Sequence, residues 1–156
     1  INMAKSITLS VLILFLCNSC AYQKMNSVNQ KKFFIQEFEV LGDARESFMI
    51  QKKIQRFSNK ESENKIKISI DLKKDRTIKE KNIQNKVTKY NISLAAEIII
   101  IDLKTTKKVK RTFKANKSYN VDDRHSNTVS NAKDANNDLI DTIVNEILDQ
   151  LRIYYM

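Results

Sequence analysis

Between Lys65 and Lys73 every second residue is a large aliphatic: Ile66, Ile68, Ile70 and Leu72 alternate with Lys65, Lys67, Ser69, Asp71 and Lys73. Side chains of a β-strand point alternately to opposite sides, so a period of two predicts a strand with one dry face and one wet face. A helix would scatter the same four aliphatics around its circumference. A chain containing such a strand must supply a second layer over the dry face.

Three further segments carry strand signals. Phe33 to Leu41 is rich in aromatic and β-branched residues, places Phe34, Phe38 and Val40 on one face, and stops at Gly42, the only glycine. Tyr90, Ile92, Leu94, Ala96, Ile98 and Ile100 alternate along another segment; Ile99 and Ile101 make its end apolar on both sides, as expected of a central strand or one beneath a second layer. In the last, Val109, Phe113, Ala115, Tyr119 and Val121 mark one face, with Lys108, Lys110, Thr112, Lys114, Asn116 and Ser118 opposite. Between the second and third segments, the polar run from Lys74 to Val87 fits either a long connection or strand extensions. Asp102 to Lys107 fits a turn.

Two stretches have helical spacing instead. From Asp43 to Phe57, Ala44 and Phe48 recur four apart, as do Ile50 and Ile54, with Phe57 three further on; Asp43 is placed to cap the first turn. After a loop from Asp122 to Asn127, a long helix to about Tyr154 carries Val129, Ala132, Asn136, Leu139 or Ile140, Ile143, Ile147 and Leu151 on one stripe. Asp134, Asp138, Asp141, Glu146 and Asp149 solvate the rest of that helix. The expected architecture is α+β, a four-stranded mixed sheet with two helices packed on one face in β-α-β-β-β-α order, forming a single domain over residues 33–156.

The other sheet face is expected to be wet and basic. The chain carries a formal charge of +10, which suits an acidic partner such as lipid phosphates, nucleic acid or an anionic protein surface. The absence of proline, the single glycine and the abundance of Asn and Ile also fit an AT-rich genome, which by itself would raise lysine. No stacking motif or zinc spacing supports nucleic acid.

The amino end sets the compartment. Met3-Ala-Lys-Ser is followed by an apolar run from Ile7 to Leu16 and then Cys17-Asn-Ser-Cys20. A bilayer-spanning helix needs roughly 20 apolar residues, whereas this length suits the core of an export signal. Ser19 fits the small position before a lipid-modified cysteine; Cys17 would place the bulky Leu16 there. Residues 1–19 are therefore expected to be a lipoprotein signal peptide, Cys20 the acylated residue, and 20–32 a polar tether. Ala21 follows in place of the Asp that marks inner-membrane retention, so the outer membrane is the expected destination. Ile1 and Asn2 precede the expected initiator, Met3. Both cysteines are thereby accounted for, and acyl chains on Cys20 are the only attached group expected; no cofactor is implied.

Catalytic signals are lacking. His125, the only histidine, lies near Asp122 and Asp123, but no serine motif, second histidine or spare thiol accompanies it, so no enzyme is expected. No metal-ligand spacing occurs.

Taken in order, Cys20-Ala-Tyr-Gln, Glu46-Ser-Phe-Met-Ile-Gln, Tyr90-Asn-Ile-Ser-Leu, Lys117-Ser-Tyr-Asn-Val121, Asn131-Ala-Lys-Asp-Ala135 and Ile147-Leu-Asp-Gln-Leu151 make the chain resemble the LPS-assembly lipoprotein LptE family. The resemblance spans nearly all of the chain after Cys20. The small turn residue usual before the fourth strand and the Gly or Pro after the cysteine are missing. The resemblance implies a lipid-anchored outer-membrane protein that plugs and helps assemble the β-barrel LptD and assists lipopolysaccharide insertion at the cell surface. A stand-alone periplasmic lipid- or ligand-binding lipoprotein is the alternative. Barrel lumens are polar, which suits a guest with a wet sheet face.

Alternate strand residues stand roughly 6.5 to 7 Å apart. Lys108, Lys110 and Lys114 then make a row of charge, joined by Lys65, Lys67 and Lys73 if both strands share a sheet. These lysines are the candidate contacts for lipopolysaccharide phosphates, and a solvated lysine-rich face is the competing explanation.

Overall fold

The four alternating segments hydrogen-bond into one sheet in the order β1-β2-β3-β4, where β1 is Phe34–Gly42, β2 Lys65–Lys81, β3 Val87–Asp102 and β4 Lys108–Asn120. The computed structural model describes residues 33–155. The expected signal peptide, Cys20 and the tether lie outside them. β1 runs parallel to β2, and the other neighbours are antiparallel. A parallel pair needs a crossover, and α1 (Ala44–Gln55) supplies it. The chain closes with α2 (His125–Tyr155), so the β-α-β-β-β-α order and mixed sheet match the expectation.

Ile66, Ile68, Ile70 and Leu72 are buried on the same side of the sheet as Leu94, Ala96, Ile98 and Ile100 of β3. Both helices cover this side. α1 contributes Ile50 and Ile54, and α2 contributes Leu139, Ile140, Ile143, Val144, Ile147, Leu148 and Leu151. Each fully buried aliphatic of this size is worth roughly 1.5 to 3 kcal/mol, which makes this layer the main source of stability.

Several expectations shift. A bulge between Ile35 and Glu37 reverses the alternation of β1, because an extra residue turns every side chain before it to the other face. Ile35, opposite Ile66, is therefore buried while Phe34, opposite Lys65, is not. In α1 the buried stripe is Ser47, Ile50 and Ile54, with Phe48 half exposed under Lys52, whose ammonium sits 4.6 Å from its ring. Asp43 occupies the N-cap position, yet its side chain makes no capping bond. Its carbonyl accepts the Ser47 N–H instead. Val129 of α2 is exposed too, because the first turns of that helix run past the end of the core.

The polar run after Lys73 is strand, not connection. β2 continues to Lys81 and turns at Asn82, whose side chain accepts the Gln84 and Lys86 N–H groups. Every β2 residue beyond Leu72 is exposed and β1 has ended, although Lys74 and Arg76 still line a cleft with α1 and α2.

Gly42 makes the β1–α1 corner possible. Its φ of 82° favours glycine, and a Cβ there would stand 2.2 Å from the Leu72 carbonyl oxygen. At the β3–β4 turn Asp102 is buried, and its carboxylate accepts the Lys104 and Thr105 N–H groups at 2.8 and 2.9 Å. The Thr105 backbone bond is the main influence holding the Asp102 carboxyl below its ordinary pKa, with Lys104 and the Tyr155 hydroxyl adding to it against the effect of burial.

Candidate functional site

No helix lies over the second face of the sheet among the described residues, and register fixes its map. Glu37, Lys67, Ile101 and Lys108 form one row across the four strands; Glu39, Ser69, Ile99 and Lys110 form the next. Leu41, Asp71, Glu97 and Thr112 follow, then Lys73, Ala95 and Lys114, then Asp75, Ser93 and Asn116. Neighbouring strands are roughly 4.8 Å apart, so lysines of β2 and β4 face one another across β3. The structure therefore brings all the predicted lysines onto one surface.

That surface is not uniformly basic. Lys67 is gripped by Glu39 at 2.8 Å and Glu37 at 3.0 Å. Hydrogen bonds to Glu39 and then Glu37 hold the Lys67 ammonium above its usual pKa range. Lys110 pairs with Glu97 at 2.6 Å. Among the described residues no ion pair reaches Lys65, Lys73, Lys108 or Lys114. The charge able to meet an anion is thus concentrated on Lys73 with Lys114, flanking Ala95, and on Lys65 and Lys108 at the sheet end. Surface pairs of this kind contribute roughly 0 to 1 kcal/mol, so the face is a chemical surface more than a stabilising one.

Sequence reasoning missed the counter-ions Glu37, Glu39 and Glu97. The alternation of β3 places Glu97 in phase with Ile99 and Ile101, which was the available signal. Which lysine each acid would meet depends on strand order, and periodicity does not contain it. Ile99 and Ile101 lie on this open face beside β2 and β4, consistent with a central strand rather than with a covering layer.

A second polar cluster sits where α1, β2 and α2 meet. Glu46 is buried and accepts Lys74 Nζ at 2.6 Å and Asn136 Nδ2 at 3.3 Å. Burial works against the Glu46 charge, but hydrogen bonds from Asp43 and Lys74 and the lysine charge outweigh it, leaving its pKa lowered. Asp43, sharing a hydrogen bond with Glu46, is raised. The adjoining cleft of about 440 Å³ is lined by Arg45, Lys74, Arg76, Lys133, Met49 and Tyr119 among others. Arg76 lies over Tyr90 at 4.8 Å, and Tyr90 stacks on Tyr119 at 5.6 Å.

His125 is exposed and begins α2 instead of sitting in a loop. Asp122 is taken up in ordering the turn before it, accepting the Arg124 N–H at 2.9 Å and Asn127 Nδ2 at 3.1 Å. Among the described residues no cluster of potential metal ligands occurs, and no helix is long and apolar enough to cross a membrane.

No protein-family model and no curated protein matches the chain. Solved structures do. A candidate lipoprotein from Caulobacter crescentus superposes with a TM-score of 0.59 at 10% identity, covering 82% of this chain and 93% of that one. A minor lipoprotein from Acinetobacter baumannii gives 0.56 at 17% identity over 79% and 92%, and an uncharacterized lipoprotein B from Nitrosomonas europaea gives 0.55 at 12% over 80% and 88%. The fold is therefore shared along nearly the whole of three proteins described as lipoproteins.

Proposed function

We propose that this chain is a lipoprotein of the bacterial outer membrane, acylated at Cys20, that works as a non-enzymatic LptE-like partner of the β-barrel LptD. In this reading it sits in the barrel lumen, helps the barrel assemble and helps lipopolysaccharide reach the surface. The observation that carries it is a conjunction: an amino end whose residues 1–19 read as an export signal before Cys20, joined to a fold shared over 88 to 93% of three proteins described as lipoproteins. Two features support the barrel in particular. The uncovered sheet face is polar and rich in hydrogen-bonding groups, as a lumen wall requires. The lysines without acidic partners among the described residues, Lys65, Lys73, Lys108 and Lys114, could meet lipid phosphates as point charges.

The test is affinity isolation of the full chain from envelope membranes in detergent, followed by identification of what accompanies it. A heat-resistant complex with a large outer-membrane barrel, together with an acylated Cys20 peptide, is expected. A monomer carrying lipid would favour a stand-alone lipid-binding lipoprotein, and an unacylated cytosolic product would overturn the assignment altogether.

A further inference from the structure

Among the described residues the outer side of β4 is a sheet edge with no strand beyond it. Hydrogen bonds at both ends fix which way its backbone points: the Val121 N–H donates to the Thr88 carbonyl, and the Asp102 N–H donates to the Lys107 carbonyl. Odd-numbered residues of β4 therefore bond to β3, and in an antiparallel ladder the even-numbered ones, Lys108 to Asn120, turn their N–H and C=O groups outward. β4 pairs with β3 without a single register shift. It lacks the bulge, proline or short length that commonly blunts an edge; its guard is its lysines, which repel a like-charged strand and not an acidic one. Side chains of the same chain reach two of its outward carbonyls: Asn131 Nδ2 donates to Asn120 at 3.2 Å at the far end, and Arg111 Nη1 donates to Lys110 at 3.4 Å, an exposed contact that an incoming strand would displace.

Charge selects what can pair there. β4 carries Lys108, Lys110, Arg111, Lys114 and Lys117 and no carboxylate. A second copy of the edge would set these cations against one another, which disfavours self-pairing. Residues 21–32 of the same chain contain Lys24, Lys31 and Lys32 and no acid, so they are equally unsuited. We propose that the outer edge of β4 accepts an added strand from an acidic, extended segment of a different protein, held by backbone hydrogen bonds and selected by Lys108, Arg111 and Lys114. The main-chain ladder supplies affinity and the cations supply selectivity. The inference is independent of whether the surrounding partner is a barrel.

A short peptide alternating Glu with Val, added to the full chain in detergent at low salt, is the probe. Binding should be followed by fluorescence anisotropy and by amide exchange. Binding should weaken with salt and fall at least about tenfold when alternate peptide nitrogens are methylated, since several hydrogen bonds are then lost at unchanged charge. The outward amides of Thr112, Lys114 and Asn116 should exchange more slowly in the complex. Asn116→Pro removes one outward donor and no ladder bond, a position where proline is tolerated, and should weaken binding. Should that variant misfold, the exchange experiment on the unaltered chain decides. Equal binding of the methylated peptide, no binding of either peptide, or unchanged exchange at those three amides would overturn the proposal.

Discussion

Gly42 and Asp102 show how single residues hold this fold at its corners. Gly42→Ala forces a left-handed backbone on a residue with a side chain, at about 1 to 3 kcal/mol, and drives that side chain into the Leu72 carbonyl. A fall in melting temperature, with the helical signal retained at low temperature, is expected in calorimetry and circular dichroism. Asp102 has a folded pKa below its ordinary 3.8, so its contribution is fully present above that value and is lost as pH falls through the lower folded one. Asp102→Asn should be less stable than the parent at neutral pH by about 1 kcal/mol. The gap should shrink in denaturant titrations below pH 4, and a constant gap would show that the charge is immaterial. Residue-level reading of the sequence succeeded at Gly42, where the break was visible, and failed at Phe34. The bulge that flips Phe34 leaves no mark in the alternation, because Ile35 and Phe34 are both apolar and either phase looks acceptable.

At the scale of elements, type and order were legible because the periods are long and clean. Ile66 to Leu72 and Tyr90 to Ile100 alternate without interruption, and α2 keeps helical spacing over its buried half. Their ends were not legible. Hydrophobic spacing continues to Val129, but burial depends on how far the sheet extends beneath the helix, a property of tertiary packing. Ile147→Ala should therefore cost about 2 to 5 kcal/mol, whereas Val129→Ala should change stability by less than about 0.5 kcal/mol. Comparable losses from the two in urea unfolding would contradict the placement of the core. The hairpin beyond Leu72 illustrates the converse: nine exposed positions in β2 hide strand structure from any pattern based on burial.

For the whole molecule, the wet sheet face could be foreseen, yet its electrostatic character could not. Strand order places Glu37 and Glu39 beside Lys67, and Glu97 beside Lys110, so charges distant in sequence cancel locally. The remaining cations direct the test of lipid contact. Lys73→Glu with Lys114→Glu, opposite each other across Ala95, should weaken lipopolysaccharide binding several-fold at low salt and little at high salt, where screening already removes the attraction. Binding that ignores the double reversal would remove this face from the lipid path. Anchoring is a separate question: Cys20→Ser should move the chain from the membrane to the soluble fraction, whereas Cys17→Ser should leave it in place, as judged by fractionation and immunoblotting.

The parallel contact between β1 and β2 has a kinetic corollary. β2, β3 and β4 are joined by short turns and can zip together early, while β1 must wait for the intervening helix to swing it back against a strand that is distant in sequence. In pulse-labelled refolding, amides of β2 and β3 should gain protection ahead of those in β1. Until β1 docks, the nascent meander is open along both flanks, Ile66 to Leu72 on one and β4 on the other. That interval is when the chain is most open to wrong strand pairing at either edge.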